Sequence, residues 1–255
     1  MSLNFNTEQI TNNLITWTRE WFEKNGKGCN AVIGISGGKD STVAAAICVE
    51  ALGKERVIGV LMPNGEQKDI ADSLRVVKHL GIRSVTCNIA PAVEAVTNSI
   101  RYSGNITISD QTCINLPPRI RMATLYAVSQ SMNGRVINTC NLSENICGFS
   151  TLYGDHAGDV SLFDQLTVTE IKKIGHHLGL PADLVDKVPS DGLIGKSDEE
   201  MYGFTYETLD HYIRTGECAD ETVKGKIRER YEKGRFKLNL IQFPHYEPGL
   251  LDIFP

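Results

Sequence analysis

A short glycine-rich segment carries the residues best suited to chemistry. Residues 36–41 read Ser-Gly-Gly-Lys-Asp-Ser; they follow an apolar run at 31–35 and precede an alanine-rich stretch at 42–52. A loop between a strand and a helix N-terminus offers backbone N–H groups, hydroxyls and the positive end of the helix dipole to an anion. We therefore predict that this loop binds phosphate.

The loop differs from two familiar nucleotide-binding loops. A Walker A loop needs Gly-Lys followed by Ser or Thr, whereas here Lys39 precedes Asp40, and the spacing G-x-G-x-x-G is absent. A carboxylate in a phosphate loop repels its ligand unless a divalent cation lies between them. Asp40 therefore predicts magnesium.

Alternating strands and helices must position this loop. The patterns predict strands at 31–35, 57–61, 84–89 and 135–139, and helices at 10–25, 42–52, 69–80, 91–102, 116–132 and 169–178. Such alternation implies right-handed crossovers and a parallel sheet. We predict an α/β protein with a doubly wound, Rossmann-like parallel sheet and helices on both faces. Its ligands would bind outside the carboxyl ends of the strands, where the glycine loop, residues 61–63 and Thr139 emerge.

Composition and length limit the remaining possibilities. The chain has 255 residues and a formal charge of -5, which argues against a general nucleic-acid binder. Its seven cysteines include no C-x-x-C pair, and no apolar stretch reaches the roughly 18 residues of a membrane span. We expect a single cytoplasmic domain over 1–255 with no membrane or nucleic-acid partner. A segment at about 190–203 has the composition of either a flexible lid or an inert loop.

Several further motifs support a resemblance to a known family. The motif S-G-G-x-D-S resembles the pyrophosphate loop of the ATP pyrophosphatases, whose fold is adenine-nucleotide hydrolase-like. Residues 115–122 are similar to the N-x-x-x-R-x-R-M signature of NAD synthetases, and 138–144 and 148–159 are similar to two further segments of that family. The blocks at 187–193, 197–200 and 203–210 follow the same order. The resemblance extends from about residue 30 to 237.

The resemblance implies an ammonia-dependent ligase and its ligands. Such an enzyme would amidate deamido-NAD through an adenylated carboxylate, using ATP, Mg²⁺ and ammonia, release AMP and pyrophosphate, and form a homodimer. Asp40 and Glu144 match metal ligands. ATP-binding positions match Gly34, Ile35, Ser36, Gly37, Gly38, Lys39, Asp40, Ser41, Gln67, Thr139 and Ser190. Positions for the deamido dinucleotide match Arg119, Asp159, Lys237 and, across a subunit contact, Trp21.

Three positions depart from the family pattern. Leu152 and Val168 stand where lysine is common, and Phe236 stands where histidine is common. The growing charge on pyrophosphate needs cations, so we name Lys39 and Lys196 as candidate catalytic replacements, with solvated surface lysines as the alternative. The competing functions are another ATP-pyrophosphatase ligase and a catalytically weak homologue that only binds nucleotide.

Simple structural roles compete with the proposed site roles. Arg119 could be a surface charge, Glu144 a helix cap and Asp159 a turn residue. Trp17 and Trp21 could pack in the core or form a subunit contact.

Overall fold

Strands and helices alternate along the chain. The computed structural model describes residues 5–66, 70–187, 198–238 and 244–254. Its strands are β1 (Asn30–Gly34), β2 (Val57–Leu61), β3 (Arg83–Thr86), β4 (Gly134–Asn138) and β5 (Val160–Ser161). Its helices are α1 (Thr7–Asn25), α2 (Lys39–Leu52), α3 (Ile70–Leu80), α4 (Ala90–Tyr102), α5 (Asp110–Ser131), α6 (Leu142–Ile146), α7 (Val168–His177), α8 (Ala182–Val185), α9 (Asp198–Tyr202), α10 (Tyr206–Thr215) and α11 (Glu221–Gly234).

The five strands form one sheet in the order β3-β2-β1-β4-β5, and every neighbouring pair is parallel. The predicted doubly wound parallel sheet is therefore confirmed. Chain order runs outward from β1 toward one edge through β2 and β3, and toward the other through β4 and β5. The switch point between β1 and β4 opens a crevice at the carboxyl ends of these strands, where ligands bind in such folds.

Alternating side chains bury both faces of the sheet. In β1, Ala31 and Ile33 belong to the core cluster that α1, α2 and α7 cover, whereas Val32 belongs to the cluster beneath α5. In β2, Leu61 and Val60 divide between the same two faces. Helices on both faces explain why β2 reads as a continuous apolar run, because each of its side chains is buried.

A third apolar cluster lies among α6, the start of α7 and helices α9 to α11. Tyr212 and Ile227 are fully buried in it. A buried ion pair joins this cluster to the main core, because Arg214 of α10 donates to Glu170 of α7 over 2.7 Å. The carboxyl-terminal helices are thus attached to the helix layer beside the sheet.

Some predicted boundaries are wrong. Helix α2 begins at Lys39 rather than 42, because Gly38 supplies the extended N-cap. Helix α5 begins at Asp110 rather than 116 and contains Pro117. The Ser109 side chain accepts a hydrogen bond from the Thr112 N–H, so α5 has a capped first turn that precedes the proline.

Other elements were missed or are shorter than predicted. Strand β3 ends at Thr86 rather than 89, and β5, with two residues, carries almost no periodic signal. Helix α10 was also missed, although its N-cap Thr205 is a recognisable start signal. No helix within the described residues has the length and apolar character needed to cross a membrane. Residues 190–197 of the predicted lid lie outside the described residues, and 198–202 form α9.

Candidate active site

The glycine loop is a short connection between β1 and α2. Ser36 and Ser41 share a hydrogen bond between their hydroxyl oxygens at 3.1 Å, and the Gly38 N–H donates to Ser36 Oγ. The Gly38 carbonyl accepts from the Thr42 hydroxyl at 2.7 Å. These bonds hold the N-terminus of α2, a helix of 14 residues, at the carboxyl edge of the sheet. The predicted juxtaposition of loop and helix N-terminus is confirmed.

Gly37 allows the loop to pack against α3. Its φ of +80° is favourable for glycine. A Cβ at this position would lie 2.8 Å from Asp72 Cβ and 2.9 Å from the Ser73 backbone nitrogen. Asp72 also accepts from Lys187 Nζ at 2.7 Å, and this bond lowers the pKa of the Asp72 carboxyl. The loop, α3 and the segment that ends at Lys187 therefore form one contiguous contact.

Asn141 joins Asp40 and Glu144, the two carboxylates that match metal ligands of the family. Its side-chain amide donates to Asp40 Oδ1 at 3.1 Å, and its backbone N–H donates to Glu144 Oε2 at 3.3 Å. Asn141 is also the N-cap of α6, and with Glu144 it forms a capping box. The helix-cap alternative for Glu144 is thus correct as a structural role, and the same geometry turns Glu144 toward Asp40.

Glu144 is desolvated and lies close to the charges of Asp40 and Lys39. Burial raises the pKa of Glu144, the negative charge of Asp40 raises it further, and the positive charge of Lys39 opposes both. Two neighbouring carboxylates in a desolvated position favour a bound cation.

Lys39 is buried, so the solvated alternative for this lysine is wrong. Its side chain is 3% exposed, and Nζ donates to Asp40 Oδ2 at 2.9 Å. Burial by itself lowers the pKa of Lys39, but attraction by Asp40 and Glu144 outweighs it and the pKa is raised. The ammonium also lies 5.7 Å from the ring centre of Tyr206. The ammonium group of Lys39 is therefore a buried positive charge with a fixed position beside the two carboxylates.

Val168, a departure from the family pattern, is 1% exposed and belongs to the same apolar cluster as Tyr206. Phe236, another departure, is 54% exposed.

Asn138 and Thr139 end β4 at the same edge of the sheet. The Asn138 amide donates to the carbonyls of Asp155 and Ala157 at 2.9 and 3.0 Å. A Cβ at Gly158 would lie 2.8 Å from Asn138 Cβ, so the returning chain passes close to the strand. These contacts place the 155–158 segment beside Thr139, the predicted ATP contact.

Two of the predicted dinucleotide residues contact one connection after α6. Lys237 Nζ donates to the carbonyls of Gly148 and Ser150 at 2.7 and 2.6 Å. Arg119, an exposed residue of α5, donates from Nε to the Leu152 carbonyl at 3.2 Å. The structure thus brings Arg119 and Lys237 to the same segment, 148–152, from two different helical regions.

Asp159 and Trp21, the other two predicted dinucleotide residues, make different contacts. Asp159 Oδ2 accepts from the Val136 N–H at 2.7 Å, which ties the start of β5 to β4. Trp21 packs edge to face on Phe22 with 5.2 Å between ring centres. It lies in the last turns of α1, which end near the amino ends of the strands, because Arg135 donates to the Asn25 carbonyl there. Within one chain the structure does not bring Trp21 to the glycine loop.

Three predicted site residues, Gln67, Ser190 and Lys196, lie outside the described residues. Conversely, Asn141 and Lys187 make contacts at the site that the motifs do not predict. An asparagine three residues before a glutamate is a recognisable capping-box pattern, so Asn141 carried a usable signal. The pairing of Lys187 with Asp72 carried none, because it depends on tertiary contact.

The donor set suits a hard divalent cation that shares its ligands with a phosphate. Within the parts of the chain that the structure describes, no three His, Cys, Asp or Glu side chains form a metal-binding cluster. Asp40 and Glu144 supply carboxylate oxygens only, and Mg²⁺ is commonly bound by one or two carboxylates with substrate phosphates completing its shell. The residues present therefore fit magnesium beside a nucleotide.

The sheet order and the loop at its switch point define a Rossmann-like α/β protein with its site at the carboxyl edge. The NAD synthase family model matches residues 10–241, so the chain belongs to the NAD synthase family. The prediction of a ligase of this family is confirmed.

Relatives and solved structures agree with this assignment. An NH(3)-dependent NAD(+) synthetase from Carboxydothermus hydrogenoformans is 33% identical over 242 residues, which cover 94% of this chain and 98% of that protein. Another from Methanocaldococcus jannaschii is 36% identical over 233 residues, with 89% and 85% covered. The solved structure of NMN synthetase from Francisella tularensis has a TM-score of 0.84 at 29% identity and covers 95% of this chain and 100% of its own.

Proposed function

We propose that this protein converts deamido-NAD to NAD, using ATP and ammonia. The observation that carries the proposal is the meeting of Asp40 and Glu144 on Asn141, beside the glycine loop of a chain in the NAD synthase family. A carboxylate is a poor acyl donor because its oxygen leaves badly. Transfer of AMP to that oxygen makes a mixed anhydride, and ammonia then displaces AMP to form the amide. The proposed products are NAD, AMP and pyrophosphate.

The proposed roles follow the site as the structure arranges it. The loop hydroxyls, the backbone N–H groups and the N-terminus of α2 would bind the ATP phosphates. Asp40 and Glu144 would hold Mg²⁺, which, when bound, neutralises charge on the phosphate oxygens. Lys39 and Lys196 stay proposed as additional cations. The proposed ATP contacts are Gly34 to Ser41, Gln67, Thr139 and Ser190, and the proposed dinucleotide contacts are Arg119, Asp159, Lys237 and a partner's Trp21.

The contacts of Arg119 and Lys237 support a shared substrate surface. Both cations bond to carbonyls of 148–152, so both lie at one border of the carboxyl edge. Burial lowers the pKa of Lys237, which is consistent with a side chain partly withdrawn from solvent. We propose that the dinucleotide lies along this border, with its carboxylate directed toward the ATP phosphates.

A second candidate substrate is the corresponding acid mononucleotide. The structural similarity to NMN synthetase favours it, since that protein is covered completely at a TM-score of 0.84. Leu152 and Phe236 also lack the positive or protonatable groups that the family commonly has at these positions, in a region expected to bind phosphates. A mononucleotide carries fewer phosphates and would need fewer cations.

One assay tests these alternatives together. Purified protein receives ATP, Mg²⁺ and ammonium with either deamido-NAD or nicotinate mononucleotide, and amide formation is followed by chromatography. We expect the higher kcat/KM with deamido-NAD and AMP and pyrophosphate in a one-to-one ratio with the amide. ADP and phosphate would instead indicate an acyl phosphate, and nucleotide binding without turnover would indicate a catalytically weak homologue. Replacing ammonium by glutamine tests the proposed use of free ammonia.

A further inference from the structure

The ammonium group of Lys39 already balances part of the charge at the proposed metal site. Asp40 offers Oδ1 to Asn141 and Oδ2 to Lys39, so both carboxylate oxygens have partners before any ligand binds. Lys39 also attracts Glu144, the second carboxylate of the pair. A cation that enters this position must therefore compete with Lys39 for Asp40 and approach a like charge.

The surrounding residues keep Lys39 in this position. Its side chain is 3% exposed, and the Tyr206 ring lies 5.7 Å from Nζ. Tyr206 is itself fixed, because its hydroxyl donates to Asp198 Oδ2 at 3.0 Å and its backbone N–H donates to Glu199. An ammonium group between a carboxylate and an aromatic face is well stabilised. The Lys39 side chain therefore favours this buried position over one exposed to solvent.

This arrangement treats a free metal ion and a metal–nucleotide complex differently. A free divalent cation adds two positive charges next to an ammonium, which is unfavourable where solvent screening is weak. A divalent cation bound to ATP arrives with phosphate oxygens, whose negative charge can pair with Lys39 as well as with the N-terminus of α2. Lys39 thus disfavours a free divalent cation but is compatible with a divalent cation that is bound to ATP.

We propose that Lys39 is an internal counter-ion of Asp40 and Glu144 that makes the site accept its divalent cation together with the nucleotide rather than alone. The inference rests on the metal site proposed above. It gives Lys39 a positioning role in metal binding, in addition to any contact with pyrophosphate. It also explains how a buried lysine coexists with a cation site.

Binding of Mn²⁺, measured by the loss of the free-ion electron paramagnetic resonance signal, tests the proposal without turnover. The proteins are wild type, Lys39→Gln, Lys39→Arg and the control Lys54→Gln, an exposed lysine on the turn before β2. Without nucleotide we expect Lys39→Gln to bind Mn²⁺ about fivefold or more tightly than wild type. Lys39→Arg and Lys54→Gln should match wild type. With a non-cleavable ATP analogue the gain in Lys39→Gln should shrink to about twofold or less.

Three results would overturn the proposal. These are unchanged or weaker Mn²⁺ binding by Lys39→Gln, an equal gain with and without the analogue, and tighter binding by Lys39→Arg. Circular dichroism melting checks that each variant is folded. If Lys39→Gln does not fold, Lys39→Arg, which keeps the positive charge, still tests the proposal. Asp40→Asn and Glu144→Gln separate two kinds of failure. If both bind Mn²⁺ as wild type does, the metal site itself is wrong; if both lose it while Lys39→Gln shows no gain, only the counter-ion role fails.

Discussion

Asn141 has two separable tasks, and a single substitution can divide them. Its side-chain oxygen caps α6 by accepting from the Glu144 N–H, and its amide nitrogen donates to Asp40. Serine is a good N-cap but cannot reproduce the donor to Asp40. We predict that Asn141→Ser lowers the free energy of unfolding by about 1 kcal/mol or less. Its rate of amide formation should fall about tenfold or more, because Asp40 is no longer oriented.

Urea unfolding and steady-state kinetics measure the two effects on Asn141→Ser. Asn141→Ala is the comparison, since it loses both the cap and the donor. Equal activity in Asn141→Ser and wild type would contradict the orienting role.

Arg119 tests the assignment of the dinucleotide border. Its guanidinium is exposed and, among the described residues, makes one hydrogen bond, from Nε to the Leu152 carbonyl, so its removal should leave the fold intact. We predict that Arg119→Ala raises the KM for deamido-NAD about tenfold or more and changes the KM for ATP little. Arg83→Ala, at an exposed position of β3, is the matched control. An equal rise in KM for both substrates would show that Arg119 has been assigned wrongly to the dinucleotide border.

At the level of elements, the contact between the glycine loop and α3 depends on Gly37. Gly37 and Gly53 both have φ near +80°, but only Gly37 has neighbours where a Cβ would lie. Gly53→Ala therefore reports the cost of the backbone conformation alone, about 1 to 3 kcal/mol. We predict that Gly37→Ala costs more than this and also lowers ATP affinity, because the loop must move away from Asp72.

Calorimetry of unfolding and equilibrium binding of an ATP analogue check the Gly37 prediction. Equal destabilisation by Gly37→Ala and Gly53→Ala, with unchanged ATP affinity, would show that the contact with α3 does not matter.

Asp210 connects three helices and makes their packing depend on pH. It accepts from the Ser143 hydroxyl of α6 and from the Thr169 N–H of α7, and it belongs to α10. Burial raises the pKa of Asp210 to about 6. Because the folded state then holds a proton that the unfolded chain has lost, the stabilising contribution is complete below about pH 4 and disappears as pH rises through about 6.

We predict that Asp210→Asn removes this pH dependence. The free energy of unfolding of wild type relative to the variant should decrease by about 2 kcal/mol between pH 4 and pH 7. Denaturant unfolding at several pH values measures the difference. A difference that stays constant, or grows with pH, would mean that Asp210 is ionised throughout.

At the scale of the whole molecule, the exposed apolar surface indicates where a second copy could bind. None of the residues of α4 is buried, and Val96, Tyr102, Ile106 and Ile114 are 37 to 86% exposed. Trp17 and Trp21 instead pack partly on the core of their own chain. We therefore propose that α4, Ile106 and the first turn of α5 contribute to the homodimer contact, in addition to the half-buried Trp21 of α1.

Light scattering at micromolar concentration measures the oligomeric state. We predict a dimer for wild type and a shift toward monomer for Ile106→Asp, because a charge in an apolar contact is costly. Leu74→Asp, on an exposed position of α3, should remain dimeric. A wild-type monomer with full activity would exclude the dimer as a requirement.

The sequence by itself determined the features that depend on neighbouring residues. The apolar run of β2 predicted a fully buried strand over the correct residues, and the loop composition predicted its place between a strand and a helix. The sequence patterns predicted helix boundaries less well where two local preferences conflict, as at the start of α5. The helix predicted from residue 116 begins earlier, because a cap at Ser109 starts α5 at Asp110.

Only the tertiary structure decided which distant residues meet at the site. Asp40 and Asn141 are 101 positions apart, and they bond because β1 and β4 are neighbours at the switch point of the sheet. The pattern of apolar residues determines that strands are buried, but the packing of the crossover helices determines their order. The burial of Lys39 against Tyr206 has the same cause, since Tyr206 of α10 is positioned by the packing of the third apolar cluster.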